Sequence, residues 1–377
     1  MTSRSNLASK SNSVSPFSMT KVFLGLIILL SLLGLFFVFE ASTVESFKLF
    51  GHQYYFFKQQ AIWLLLSFVV LLFTSKLKVK FFKKFALHFY LLAILLLILT
   101  LIPSIGLKLN GTRRWIALPF GIGTLQSVEV FKFVLVNFYA YLLSKKLDLS
   151  SFLFFLFWPI VLVLLQPDFG SLMILVATSI IMYFLAGGRI KFLAILFAGG
   201  IVFVLSVILF SPYRRERLTT FLNPQVNIQE ESYHVRQITL ALGGGSWFGR
   251  GIGNSQQKYS YVPEASSDSI FAIVAEEIGF VGSFLIICLF ILYFRVANLL
   301  VKNKVLTKYE YLLYYGILTW IAIQLLFNLS AVVVLLPLSG MPLPFFSQGG
   351  SSLVMLFFAN GVLLSIATHA KLKTVTR

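Results

Sequence analysis

Acidic residues are scarce in this chain, which sets 13 Asp and Glu against 31 Lys and Arg in 377 residues. Cysteine is scarcer still: the single Cys288 excludes a disulfide framework and a thiolate metal site. The four histidines, His52, His88, His234 and His369, are scattered without metal-ligand spacing, which argues against a zinc centre. No repeat, linker or low-complexity block interrupts the chain after residue 20.

What is abundant is apolar. A hydrophobic fraction of 58%, a charged fraction of 12% and a mean hydropathy of +0.89 lie outside the range of soluble domains. They describe an all-α, polytopic membrane helix bundle. A hydrocarbon core of ~30 Å needs about 20 helical residues per span. Ten runs approach that length: 22–39, 59–75, 86–104, 127–144, 151–166, 170–187, 190–211, 269–294, 309–336 and 350–368.

An even count puts both termini on one side, and Lys and Arg decide which. With the N-terminus inside, the inner side collects Arg4, Lys10 and Lys21, the run Lys76 to Lys84, the run Arg295 to Lys308, and Lys371 to Arg377. Both termini are therefore expected in the cytoplasm. The net charge of +18 follows from this asymmetry, and no basic, aromatic platform suggests nucleic acid. The Ser-rich opening has no cleavage pattern after it, so residues 1–20 read as a cytoplasmic tail. Residues 21–370 form the transmembrane domain and 371–377 a second cytoplasmic tail.

The exception to the apolar pattern is an outer loop at 212–268. Trp247, Phe248, Tyr233, Tyr259 and Tyr261 give it too many aromatics for a solvated linker, so it is expected to fold back on the bundle. Pro212 to Leu218 begins like a helix. Tyr233 to Leu242 has helical spacing, ended by Gly243-Gly244-Gly245.

Candidate chemistry gathers at the end of that loop. Glu264 and Asp268 are spaced i, i+4, so on a helix opened by Pro263 both carboxylates share one face. That spacing suits acid/base work, and equally Asp268 is placed to cap the eighth span. Glu276 and Glu277 lie two to three turns deeper, where an ionised group must face water or a partner inside the bundle. Glu129 and Lys132 make a self-contained i, i+3 pair in the fourth span. Asp168, in Gln166-Pro167-Asp168-Phe169-Gly170, belongs to a tight outer turn.

Outer basic residues run against the topological trend. Arg113, Arg114, Arg214, Arg215, Arg217, Arg236, Arg250 and Lys258 are candidates for an anionic head group, with arginine offering bidentate phosphate contacts. The alternative is pairing with Glu216, Glu230, Glu231 and lipid phosphates. Gly249 to Asn254 is no dinucleotide loop, since no strand precedes it, but its glycines suit an anion-binding nest. Pro337 to Ser352 carries no charge and reads as a re-entrant or tightly folded outer loop.

Several of these motifs together resemble the FtsW/RodA family, the SEDS peptidoglycan glycosyltransferases. Asn110 to Ile116, Gln166 to Ser171, Tyr213 to Pro224, Gly249 to Lys258, Val262-Pro263-Glu264 with Asp268, and Gly340 to Ser352 occur in the family's order. The resemblance implies an enzyme of the bacterial cytoplasmic membrane that polymerises lipid II, an undecaprenyl-diphosphate disaccharide-pentapeptide, into glycan at the outer face. It implies that Asp268 is the essential carboxylate, with Glu264 in the same motif. Arg113, Arg114, Arg214, Arg215 and Lys258 would then face the diphosphate. Glu129 and Lys132 match the family's charged pair, and Asp168, Glu276 and Glu277 are supporting charges. The implied partners are a class B penicillin-binding transpeptidase and other divisome proteins. A divalent cation, Mg or Mn, bridging carboxylate and phosphate is a hypothesis, and no other cofactor is expected.

This chain departs from the family pattern at Ser266, where a His is usual, at Ser269, usually aromatic, at Gln126-Ser127-Val128-Glu129, and at Gln348. The polar N-terminal tail, Asn254 to Lys258 and Gly340 to Pro344 favour the division-type member, acting at the septum. The alternatives are the elongation-type polymerase and a transporter that flips lipid II without making a bond.

Overall fold

The computed structural model describes residues 16–109, 111–118, 123–145, 148–209, 230–259, 265–337 and 340–372. Arg214, Arg215 and Glu264, the helix start expected at Pro212, and residues 1–15 of the tail lie outside the described residues.

Each of the ten apolar runs is a helix. They are α1 Pro16–Phe50, α2 Tyr55–Lys76, α4 Ala86–Leu101, α5 Ser127–Lys145, α6 Leu149–Leu165, α7 Phe169–Leu185, α8 Ile190–Leu209, α10 Ile270–Val301, α11 Lys308–Val332 and α12 Gly350–His369. A short α3, Val79–Lys84, precedes α4, and α9, Glu230–Gly245, lies between α8 and α10. Among the described residues, six helices (α1, α2, α5, α10, α11 and α12) are long and apolar enough to cross a membrane, which makes this a multi-pass membrane protein. The apolar helices α4, α6 and α7 are shorter, at 16 or 17 residues.

Side chains start several helices. The Asp148 carboxylate accepts from Ser151 N at the head of α6, and hydrogen bonds from the Ser151 and Ser150 side chains hold its pKa down to about 2. Thr307 and Glu310 form a reciprocal capping box on α11.

The helix pairs lock through small residues and aromatic rings. α12 lies so close to α2 that a Cβ on Gly361 would stand 1.8 Å from Thr74 Oγ1, and one on Gly350 2.4 Å from the Trp63 ring. Without water to drive association, such close backbone approach supplies the dispersion contact that holds spans together. Tyr90 stacks on Phe138 and meets Phe155 edge-on, joining α4, α5 and α6.

One element has no counterpart in the helical reading. Strands β1 Gly106–Leu109, β2 Thr112–Ala117 and β3 Thr124–Gln126 form an antiparallel sheet between α4 and α5. Gly106 pairs with Ile116 and Trp115 with Gln126, with a bulge between Leu107 and Lys108. The hairpin signal is Asn110-Gly111: Gly111 has φ +75°, the left-handed turn geometry an Asn-Gly pair favours. At the opposite end, β4 Lys304–Val305 pairs with β5 Lys371–Leu372.

α10 is broken in the middle. Gly279 has φ 69° and ψ −169°, so the N–H groups of Phe280 and Val281 no longer reach Glu276 and Glu277 one turn back. The segment after α9 replaces both lost bonds. Phe280 N donates to Ser246 O at 2.9 Å and Val281 N to Trp247 O at 3.0 Å. In return, Arg250 N donates to Glu276 O and Gly251 N to Glu277 O, each at 3.0 Å. A break in a spanning helix is tolerated where neighbouring backbone satisfies the freed groups in this way. The fit demands glycine, because a Cβ on Gly279 would stand 2.2 Å from Gly249 N and one on Gly249 2.1 Å from Glu277 O.

Candidate functional site

The described part of the loop between α8 and α10, residues 230–259, thus folds back on the bundle, and its Gly249 and Gly251 N–H groups serve the backbone. The N–H groups of Gly249, Arg250 and Gly251 are all taken by main-chain carbonyls. α9 runs through Gly245 instead of stopping at Gly243, so the three glycines form its last turn.

Below this seam the two deep glutamates clamp the following turn. Glu276 is 1% exposed and accepts from Ser255 Oγ at 2.5 Å, Gln256 N at 3.1 Å and Gln257 N at 3.2 Å, with Arg250 Nε at 3.7 Å. Lys258, 8% exposed, reaches Glu277 Oε1 at 3.2 Å and Glu40 Oε2 of α1 at 3.1 Å. Burial by itself lowers the lysine's pKa, yet the hydrogen bond to Glu40 and the Glu277 charge outweigh it and raise the value above 10.5. One ammonium thus ties α1 to α10 through the two carboxylates.

Asp268 lies in the turn Ala265 to Ser269 that leads into α10. Ser269, not Asp268, occupies the residue before the helix, and it makes no side-chain cap bond. Its hydroxyl instead meets His234 Nε2 of α9 at 2.9 Å. Three neighbours hold the preceding carbonyls: Gln348 N donates to Ser266 O at 2.8 Å, Ser347 Oγ to Ser267 O, and Asn328 Nδ2 to Asp268 O at 2.8 Å. Asp268 is half-buried. Its Oδ2 faces Gly340, where an added Cβ would come within 3.9 Å and φ is +68°.

The 340–349 loop that faces this carboxylate is folded into the bundle, with Met341, Leu343, Phe345 and Phe346 all buried. Two amides on α11 grip it. Asn328 Nδ2 also donates to Met341 O at 2.6 Å, and one turn earlier Gln324 Nε2 donates to Pro342 O at 2.9 Å. Gln60 of α2 holds the far end through Ser347 O and Gly349 N. Gln324 Oε1 in turn accepts from Lys132 Nζ at 2.8 Å, and Lys132 pairs with Glu129 at 2.7 Å. A cavity of about 10 Å³, room for about one water, lies between Glu129, Gln324, Pro342 and Ser352. Glu129 Oε2 is buried with no hydrogen-bond partner among the described residues.

The two arginines of β2 are placed differently from each other. Arg114 donates to the carbonyls of Gln166, at 3.1 Å, and Pro167, fixing the turn whose Asp168 caps α7 through Ser171 N and Oγ. Arg113 has a buried Nε without a hydrogen-bond partner among the described residues. Among the described residues no three His, Cys, Asp or Glu side chains converge.

The sequence reading thus grouped Glu129 with Lys132 but passed over Gln324 and Asn328, which link that pair to the Asp268 turn. Lys258 lies with Glu276 and Glu277, alongside Glu40, which it also passed over. The available signal was polarity inside apolar runs: Glu40, Gln60, Gln324 and Asn328 each stand in a spanning helix, where an unsatisfied polar group is expensive.

The family model described as a cell cycle protein, covering FtsW, RodA and SpoVE, matches residues 20–372. A probable peptidoglycan glycosyltransferase FtsW of Coxiella burnetii is 38% identical, over 89% of this chain and 92% of its own length. Stage V sporulation protein E of Bacillus subtilis is 34% identical, over 91% and 95%. Among solved structures, a chain from a peptidoglycan synthase complex that coordinates polymerization and crosslinking superposes with a TM-score of 0.76 at 24% identity, covering 92% of this chain and 97% of that one. The rod shape determining protein RodA of Thermus thermophilus gives 0.67 at 21% identity, covering 92% and 96%. These two likenesses speak for the fold.

Proposed function

Because the chain belongs to the FtsW/RodA/SpoVE family and is a membrane-embedded peptidoglycan glycosyltransferase, we propose that Asp268 is the general base that polymerises lipid II at the outer membrane face. A sugar hydroxyl is a weak nucleophile. As it attacks the anomeric carbon of the second lipid-linked sugar, its proton passes to the Asp268 carboxylate. The bond from that carbon to the diphosphate oxygen breaks, and the electron pair leaves with the diphosphate.

The observation that carries this reading is the contrast within one turn. The main chain from Ser266 to Asp268 is held by three separate donors, while the carboxylate between them and α10 is only half-buried and faces a glycine loop. A braced backbone under a carboxylate with Oδ1 buried and Oδ2 turned toward the Gly340 loop suits preorganised proton transfer. Glu264 is proposed to assist in the same motif.

The departing diphosphate needs positive charge. Arg113, with its unpartnered buried Nε, is the described cation best placed by its own hydrogen bonding to supply it. Arg114 supports it from the same strand, and Arg214 and Arg215 are proposed for the same role. Lys258 would have to leave two carboxylates to reach substrate, so it acts more economically by holding the loop. A divalent cation finds no converging set of three His, Cys, Asp or Glu ligands among the described residues.

Both termini are proposed to face the cytoplasm, with the enzyme at the division septum beside a class B penicillin-binding transpeptidase. The test is polymerisation of labelled lipid II by the purified protein with that partner. Glycan from the wild type and none from Asp268→Ala, at an unchanged melting temperature, is the expected result. Undiminished polymer from the variant overturns the assignment, and lipid translocation with no polymer from the wild type favours a transporter.

A further inference from the structure

Asn328, on α11, is 2% exposed, and its amide donates twice, to Asp268 O at 2.8 Å and to Met341 O at 2.6 Å. Both partners are carbonyls, so the amide's orientation is fixed: nitrogen toward them, oxygen away. That oxygen, Oδ1, is buried with no hydrogen-bond partner among the described residues. Most buried amides satisfy both ends, so one kept half-satisfied points to a need for the satisfied end.

What Asn328 adds is specific. Gln324, one turn away, already anchors the loop through Pro342 and has its own oxygen filled by Lys132 and Trp320. Gln60 and Ser347 secure the loop's far end. Asn328 alone among these amides bonds both to the loop and to the main chain of Asp268 itself. We infer that Asn328 is a positioning residue for the glycosyl transfer: it sets the spacing between the Asp268 carboxylate and the Gly340 to Met341 loop, across which the acceptor sugar hydroxyl is deprotonated. The inference rests on Asp268 being the base.

Its signature is a loss of turnover rather than of binding. In the purified complex with labelled lipid II, Asn328→Ala lowers kcat about 30- to 100-fold, the scale of a small misplacement of a reacting group, with KM within about threefold. Asn328→Asp keeps the volume but sets an acceptor against two carbonyls, and falls at least as far. Combined with Asp268→Glu, which already displaces the carboxylate, Asn328→Ala costs less than about a further threefold, because both changes act through one geometry. Should Asn328→Ala not fold, Asn328→Ser, which retains one donor, carries the same kcat and KM comparison.

Singles within twofold of wild-type kcat, or a full multiplicative loss in the double variant, overturn the inference. The underlying reading fails in a different way, by Asp268→Asn continuing to polymerise. If Asp268→Asn is dead and Asn328→Ala is unimpaired, only the positioning role is refuted.

Discussion

Two acidic regions lie at the N-terminal end of α10, one within the helix and one in the turn before it, and they are built differently. Around Glu276 and Glu277 the carboxylates are almost wholly buried, Glu276 held by Ser255 Oγ and the N–H groups of Gln256 and Gln257, and Glu277 by Lys258, which also reaches Glu40. Around Asp268 the neutral amides of Asn328 and Gln348 and the Ser347 hydroxyl grip the main chain, leaving the carboxylate half-buried. A deeply buried carboxylate in a fixed network has little left to offer a substrate, whereas a half-buried one on a braced main chain can meet it. We accordingly propose the first region as the brace of the loop and the second as the place for chemistry.

The comparison breaks hardest at Lys258. Lys258→Met leaves Glu40 and Glu277 facing each other without their shared cation, and a broken buried pair costs about 3–5 kcal/mol. A large fall in the melting temperature of the purified protein is expected, partly restored by adding Glu277→Gln. Stability within error of wild type would mean the cluster is not a brace. Gly279→Ala should cost about 2–3 kcal/mol, since it adds a strained left-handed φ to a collision with Gly249; proteolysis of the 246–258 loop reads it. A variant as resistant as wild type would show that the break in α10 does not hold the loop.

Smaller effects sharpen the contrast from the other side. Thr307→Ala removes the capping box of α11 and should cost about 1 kcal/mol, with polymerisation per folded molecule unchanged. Reduced turnover at constant fold would instead tie the far end of α11 to the site. For Lys258, a folded pKa raised above 10.5 gives stabilisation that is complete below the unfolded value and lost as pH rises through the folded one. Wild type should therefore lose melting temperature above about pH 10.5 more steeply than Lys258→Met. Parallel alkaline profiles would contradict the pairing.

The spanning helices were legible because unbroken apolar length is a local property of the chain. The hairpin after α4 carried its own local signal, Asn110-Gly111, masked by surroundings that are otherwise helical. The break at Gly279 was not legible, since a lone glycine after Glu276-Glu277-Ile278 looks like any other in a span and only the docking of Ser246 to Gly251 reveals it. Asp268 was singled out by spacing and motif, and Ser269 stands between it and the helix. Glu40 and Asn328 escaped notice because their partners lie 218 and 60 residues away in sequence. No spacing rule reaches that far.

The division between brace and chemistry turns on one rate. Asp268→Asn removes the ionisable oxygen with almost no change of shape, so its melting temperature should match wild type while lipid II polymerisation falls at least about 100-fold, the scale of a lost general base. Polymerisation within threefold of wild type by that folded variant would contradict the account.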